Sequence, residues 1–320
     1  MERYLLTVIP GLGESAQEKI REAAESRGFT AMFYETPEEA AEMLPKAEIV
    51  FGQSGNLADH APSLKWLCTP SAGINQFTKK DVFLTGQAVL TNSSGAYGVT
   101  IAEHVIMILL EILRRKAEYS EIVARREWIR DLHIRSIRDS RITLVGTGNI
   151  GQETAIRLRS FSPECLVGVN RRGANPDNLF DRVVLSENMW EVLPETDVLI
   201  ISLPGTPDTE GMLGEKELAL LPDGTVIINV GRGTIIRQSA LEKELRKGRL
   251  FAGLDVFEQE PIPAEDSLWT CPNLIITPHC AGNMTLPYTV NCIVEMFLEN
   301  LDNYCQGRPM KRLANIKNGY

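Results

Sequence analysis

Short apolar runs at 5–9, 30–34, 48–51, 66–69 and 88–91 alternate with polar-faced stretches of helical period such as 14–26. Runs of that length, spaced by amphipathic segments, predict a parallel sheet with crossover helices. A second helix is expected after Thr36, a good cap, with Pro37 at the first helical position and an Ala-rich stretch behind it. Residues 100–126 form one long helical pattern, apolar over most of its circumference at Val105, Ile106, Ile108, Leu109, Ile112 and Leu113. Such a helix is expected to be buried, with a subunit interface as one place to bury it. A second alternation follows, with strands at 142–145, 166–169, 198–203, 226–230, 251–256 and 274–277. Its helices fall at 152–161, 187–193, 215–221 and 238–247. That length of alternation predicts a doubly wound sheet. Residues 287–305 read as a closing helix that returns to the first domain.

Chemistry first enters at Gly146, Gly148 and Gly151, which follow the strand Ile142, Thr143, Leu144, Val145 and open a helix. G-x-G-x-x-G in that context is a dinucleotide fingerprint. The first glycine permits the turn and the second lets backbone approach a pyrophosphate. The third lets helix and strand pack closely, and the helix N-terminus faces the phosphates. Gly148, Asn149 and Ile150 are therefore expected to hold a nicotinamide dinucleotide. At the end of the next strand an NAD site carries a carboxylate for the ribose; here stand Asn170, Arg171 and Arg172. A carboxylate would repel a 2′-phosphate, whereas an amide beside two guanidinium groups can bind it. NADP(H) is thus the expected cofactor, with NAD(H) as second choice; a solvated turn is the alternative for the arginines.

Composition narrows the partners. At 320 residues, with 43% hydrophobic and 23% charged, the chain is long enough for two cores. A net charge of −9 argues against nucleic acid or an anionic membrane as the main partner. Cys68, Cys165, Cys271, Cys280, Cys292 and Cys305 form no C-x-x-C pair or Cys/His cluster, so neither a metal site nor a disulfide framework is expected. Met1 leads into Glu2 and Arg3 and a short strand rather than a signal peptide, and the apolar stretch 105–113 is too short to span a bilayer. A cytoplasmic location is the default expectation.

Five segments together resemble the D-isomer-specific 2-hydroxyacid dehydrogenase family across nearly the whole chain. They are Gly146 to Gly151; Leu203, Pro204, Gly205, Thr206, Pro207, Asp208, Thr209; Asn229, Val230, Gly231, Arg232, Gly233; Gly253 through Asp255 and Glu260 to Pro261; and Thr277, Pro278, His279. The stretch around Ile262, Pro263, Ser267, Leu268 and Trp269 is similar to the NADPH-dependent glyoxylate/hydroxypyruvate reductase branch. The resemblance implies an α/β fold: a Rossmann doubly wound parallel sheet domain at 99–285 and a smaller flavodoxin-like substrate domain at 1–98 and 286–320, with substrate in the cleft between.

The resemblance also implies roles. Arg232, Glu260 and His279 become the catalytic set. Reducing a 2-keto acid needs a hydride at C2, a proton at the carbonyl oxygen and a cation for the carboxylate. Imidazole titrates near neutrality and suits His279 as proton donor. Glu260 would orient the ring and favour its charged form. Arg232 offers a planar fork to carboxylate and carbonyl. Leu203, Pro204 and Thr209 are expected along adenine and ribose, Val230 and Gly231 under the nicotinamide, and Asp255 at its carboxamide. Ser71, Ala72 and Gly73 correspond to the substrate loop, whose backbone N–H groups would take the carboxylate alongside Arg232 and His279.

Other residues carry less. His104 is expected to be structural or interfacial rather than a base, and His60 and His133 to lie on the surface. Trp128 sits where family members pack on a partner subunit, with an ordinary buried tryptophan as the alternative, and the long helix beginning near Thr100 leads to the expectation of a homodimer. Trp269, Met284 and Tyr288 are candidates for pocket walls, with core packing as the alternative. The leading expectation is an enzyme reducing a small 2-keto acid to the D-2-hydroxy acid. The alternative is a dinucleotide-sensing, corepressor-like binding protein of the same fold.

Overall fold

A computed structural model describes residues 2–316, which divide into two compact units, 2–96 with 284–316 and 97–283. In the first, β1 (Arg3–Val8), α1 (Glu14–Glu25), β2 (Phe29–Tyr34), β3 (Ala47–Gly52), β4 (Trp66–Cys68), α2 (Asp81–Leu84) and β5 (Val89–Thr91) build a five-stranded parallel sheet in the order β2-β1-β3-β4-β5. That is the flavodoxin-like order. Its core gathers Leu6, Val50, Leu57, Leu67, Ile74 and Phe77.

The helix expected after Thr36 does not form. Thr36 Oγ1 does accept the Glu39 N–H at 3.3 Å, but the chain continues as turns into a 3-10 turn at Leu44–Lys46. So short a segment gives little helical stability alone, and Pro45 removes an amide donor.

The second unit contains α3 (Gly98–Leu113), α4 (Lys116–Ala124), β6 (Arg141–Val145), α5 (Asn149–Arg159), β7 (Cys165–Asn170), β8 (Arg182–Leu185), β9 (Val198–Ile201), α6 (Glu215–Leu220), β10 (Val226–Asn229), α7 (Gln238–Arg246), β11 (Phe251–Leu254) and β12 (Leu274–Ile276). Its seven-stranded sheet runs β12-β11-β10-β9-β6-β7-β8, with every pairing parallel. The order reverses between β6 and β9, the switch point at which doubly wound sheets bind ligands. Strands such as Val-Leu-Ile-Ile in β9 are buried throughout, as parallel strands covered on both faces must be.

The single long helix expected over 100–126 is two helices. Arg115 adopts left-handed backbone at φ 56°, ending α3 and starting α4. The apolar period stops at Leu113, so Arg114, Arg115 and Lys116 have no core to follow. The expected helix at 187–193 is a pair of 3-10 segments, Ser186–Glu191 and Leu193–Glu195, interrupted where Pro194 lacks an N–H. β8, short and edge-placed, was not expected.

Finally α8 (Pro287–Cys305) belongs to the first unit. Phe297 stacks on Phe51 with ring centroids 4.3 Å apart and on Trp66 at 5.2 Å.

Candidate active site

In the second unit every implicated loop leaves the carboxyl end of a strand. The strands stop earlier than their apolar text suggests: β9 at Ile201, β10 at Asn229 and β11 at Leu254. The apolar residues beyond these ends, Leu203, Val230 and Val256, belong to the turns over the sheet edge.

After β6, Gly146 has φ 106°, a region closed to most side chains, and a Cβ on Gly151 would lie 2.1 Å from the Gly146 carbonyl oxygen. A Cβ on Gly148 would meet nothing within 4 Å. Gly148 is the N-cap of α5, and no side chain caps that helix. Open space in front of uncapped amides at a positive helix end suits a pyrophosphate, so the loop fits a dinucleotide.

Asn170 at the end of β7 is braced from within. Its Nδ2 donates to Thr147 Oγ1 and to the Ala174 carbonyl, both at 2.8 Å, and its Oδ1 accepts the Arg172 N–H at 2.9 Å. The amide thus joins the glycine loop to the turn presenting Arg171 and Arg172, both exposed. Thr209 is similar: its hydroxyl donates to the Pro204 carbonyl at 2.8 Å and accepts the Thr206 N–H at 2.9 Å, closing the 204–209 loop.

Arg232 follows β10. Its Nη1 donates to the Gly231 carbonyl at 2.7 Å, which leaves the rest of the fork for a ligand. Burial pulls the guanidinium below its ordinary pKa while the Glu260 carboxylate pushes it up. Asn229, almost wholly buried, holds this turn by donating to the Arg232 carbonyl at 2.9 Å and accepting the Gly231 N–H at 3.0 Å. A Cβ on Gly233 would sit 1.8 Å from the Phe257 carbonyl carbon, so only glycine lets the next loop lie this close.

That loop carries Glu260. Its Oε1 accepts the Phe257 N–H at 2.9 Å and its Oε2 lies 2.6 Å from His279 Nδ1. A carboxylate can only accept, so Nδ1 carries the proton and Nε2 is the outward nitrogen. His279 is half exposed and has left-handed backbone at φ 51°, uncommon for a side-chain-bearing residue.

Asp255, 2% exposed, anchors the turn that bears it. Oδ1 accepts Thr277 Oγ1–H at 2.6 Å and the Cys280 N–H at 2.9 Å; Oδ2 accepts the Ala281 N–H at 3.0 Å. His279 N–H donates to the Asp255 carbonyl at 2.9 Å. His104 on α3 lies behind this network, its Nε2 3.1 Å from Thr277 Oγ1 and 3.7 Å from Asp255 Oδ1. Burial lowers its pKa, opposed by Asp255.

The sheet therefore brings Gly148, Asn149, Ile150, Asn170, Leu203, Val230, Arg232, Asp255, Glu260 and His279 to one edge. His60 and His133 are exposed, and Trp128 is 93% exposed. Trp269 donates Nε1–H to the Pro263 carbonyl at 2.8 Å. Asn229 and Thr277 have bracing parts that sequence reasoning missed, and their place in the quoted motifs was the only signal.

Ser71, Ala72 and Gly73 lie in the first unit, after β4. Ser71 Oγ donates to the Gly73 carbonyl at 2.7 Å, Asn92 Nδ2 to the Ala72 carbonyl at 3.1 Å, and Ser93 N–H to the Ser71 carbonyl at 3.1 Å. The loop's carbonyls are thus tied down. Its Ala72 and Gly73 N–H groups have no backbone acceptor among the described residues, the arrangement an anion needs.

Residues 106–281 match the family model described as D-isomer specific 2-hydroxyacid dehydrogenase, NAD binding domain. The chain belongs to the D-isomer specific 2-hydroxyacid dehydrogenase family. Glyoxylate/hydroxypyruvate reductase B of Pectobacterium carotovorum is 31% identical over 74% of this chain and 76% of its own length. Glyoxylate/hydroxypyruvate reductase HPR3 of Arabidopsis thaliana is 31% identical over 79% and 77%. A D-isomer specific 2-hydroxyacid dehydrogenase family protein from Aeromonas salmonicida superposes with a TM-score of 0.86 at 28% identity, covering 99% of this chain and 100% of that one. The α/β architecture of two parallel sheets is that of the family, and the protein is an oxidoreductase that transfers a hydride to or from a nicotinamide dinucleotide.

Proposed function

We propose that the protein reduces a small 2-keto acid of the glyoxylate or hydroxypyruvate type to its D-2-hydroxy acid, with NADPH preferred. The observation that carries the chemistry is the 2.6 Å pairing of His279 Nδ1 with Glu260 beside the half-buried Arg232. A bound nicotinamide dinucleotide supplies the hydride. Glu260 holds the His279 ring so that Nε2, when protonated, gives its proton to the carbonyl oxygen. Arg232 polarises that oxygen and binds the carboxylate, and its partial burial strengthens both interactions. The Ala72 and Gly73 N–H groups of the first unit suit an anion. Asp255 Oδ2, which accepts Ala281 N–H, retains a lone pair for the nicotinamide carboxamide.

NADPH rests on the absence of a carboxylate at Asn170 and the two exposed guanidinium groups beside it. The names of the similar reductases support the substrate class. We also propose a homodimer, on the exposure of Trp128, and a cytoplasmic location.

The test is NADPH oxidation across 2-keto acids of graded size, from glyoxylate to phenylpyruvate. Turnover should be highest with the smallest acceptors, and His279→Ala should lose kcat by about 10²-fold or more while NADPH still binds. Near-normal turnover in that variant overturns the assignment. Binding of NADPH without oxidation by any acceptor would favour the sensor.

A further inference from the structure

His104 lies on α3, far in sequence from every motif above, and the established activity leaves it without a part. It is 12% exposed at the side chain, and its Nε2 lies 3.1 Å from Thr277 Oγ1. The hydroxyl proton of Thr277 is already committed, because Asp255 Oδ1 at 2.6 Å can only accept it. Thr277 Oγ1 therefore has only lone pairs to offer His104, which fixes the imidazole as the tautomer with hydrogen on Nε2. The result is a directed chain from His104 Nε2–H to Thr277 Oγ1–H to Asp255 Oδ1.

We propose that His104 is a positioning residue for hydride transfer, acting through Thr277 on the Asp255 carboxylate and on the turn that carries His279. The inference rests on the parts proposed above for Asp255 and His279. Asp255 is the hub: its carboxylate receives Thr277, Cys280 and Ala281, and its carbonyl receives the His279 N–H. These bonds hold His279 in left-handed backbone that a histidine seldom adopts unaided. With Oδ1 taken up by Thr277 and Cys280, Oδ2, which accepts only Ala281 N–H, is the oxygen that would have a lone pair left for a nicotinamide carboxamide. Removing His104 strips Thr277 Oγ1 of its donor and leaves the threonine rotamer held only by its own bond to Oδ1, so the carboxylate is less firmly oriented.

The test compares His104→Phe, which fills the space without a donor, with His104→Gln, whose amide can still donate, and with Thr277→Val. In the intact enzyme with saturating NADPH and glyoxylate, His104→Phe should lose kcat by about tenfold, as expected for a hydrogen bond in a charged network. The thermal midpoint should change by only a few degrees, and His104→Gln should recover most of the rate. The double variant His104→Phe with Thr277→Val should be no slower than Thr277→Val alone, because both act on one chain.

Wild-type kcat in His104→Phe, or losses that multiply in the double variant, would overturn the proposal. So would a loss that merely follows the fall in thermal midpoint. Full activity in His279→Ala would instead overturn the site assignment itself, whatever His104 does.

Discussion

Asn170 spends both amide hydrogens on Thr147 and Ala174, so it shapes the turn, and the charge for a 2′-phosphate comes from Arg171 and Arg172. Replacing both arginines by alanine should raise KM for NADPH by about 10- to 100-fold, the worth of one or two charge-assisted hydrogen bonds. KM for NADH should stay within about threefold, since NADH has no phosphate there. Asn170→Asp would add a repelling charge and also set a carboxylate against the Ala174 carbonyl oxygen. It should lower kcat/KM for NADPH at least tenfold without a matching gain for NADH. Parallel steady-state assays decide it: equal losses with both cofactors would show that the arginines serve the loop rather than the phosphate. Glu260→Gln keeps an acceptor for His279 Nδ1–H but sets its NH2 against the Phe257 N–H and loses the charge, and should cut kcat roughly 10²-fold with NADPH affinity retained. That outcome separates proton chemistry from binding, and stopped-flow single turnovers with fluorescence titration of NADPH would read both.

At the scale of elements, α8 closes the first unit through Phe297, which is fully buried between Phe51 and Trp66. Phe297→Ala should cost about 3–5 kcal/mol in urea denaturation, since the stacked rings leave no backbone slack to fill the gap. The same helix reaches Glu48 on β3 through Tyr304, whose hydroxyl donates at 2.7 Å, while Arg3 on β1 adds bonds of 2.8 and 3.1 Å. Arg3 first, and then Tyr304, pull the Glu48 carboxyl down to about 2 against the opposing effect of burial. A carboxylate depressed in the folded state contributes its full stability above the ordinary carboxyl value and loses it as pH falls toward the folded one. Glu48→Gln should therefore lower the denaturation midpoint at pH 7, and the gap from the parent should close between about pH 4.5 and about 2. A gap that persists unchanged at pH 2 would show that packing, not charge, links the three elements. Apolar runs and helical periods made these elements legible, including α8 and nearly every strand of both sheets. They misjudged α3 and α4, because periodicity does not record where the core stops supporting a helix. They also overran β9, β10 and β11, whose last apolar residues serve the turns instead.

For the whole molecule, the parallel α/β class of both sheets followed from alternation and the glycine loop, since parallel strands need crossovers, whereas the orders β2-β1-β3-β4-β5 and β12-β11-β10-β9-β6-β7-β8 are seen only in the folded chain. The His104–Thr277–Asp255 chain was not legible: its bonds join α3 to a loop 173 positions away, and only the folded sheet brings them together. No helix among the described residues is long and apolar enough to cross a membrane. The second unit nevertheless exposes Trp128 at 93%, with Ile129 at 45% and Ile134 at 42% nearby in the irregular segment after α4. Leaving one indole in water forgoes on the order of 4 kcal/mol of burial, and a symmetric pair of such arms recovers that twice. The chain should therefore sediment at twice its mass at micromolar concentration. Trp128→Ser should shift that equilibrium toward the monomer by more than a hundredfold in dissociation constant, given two lost burials per dimer. Thermal stability of the monomeric unit should hold, because Trp128 contributes nothing to its own core. A parent chain that sediments as a monomer, or a variant that dimerises as tightly as the parent, would place the role of Trp128 elsewhere.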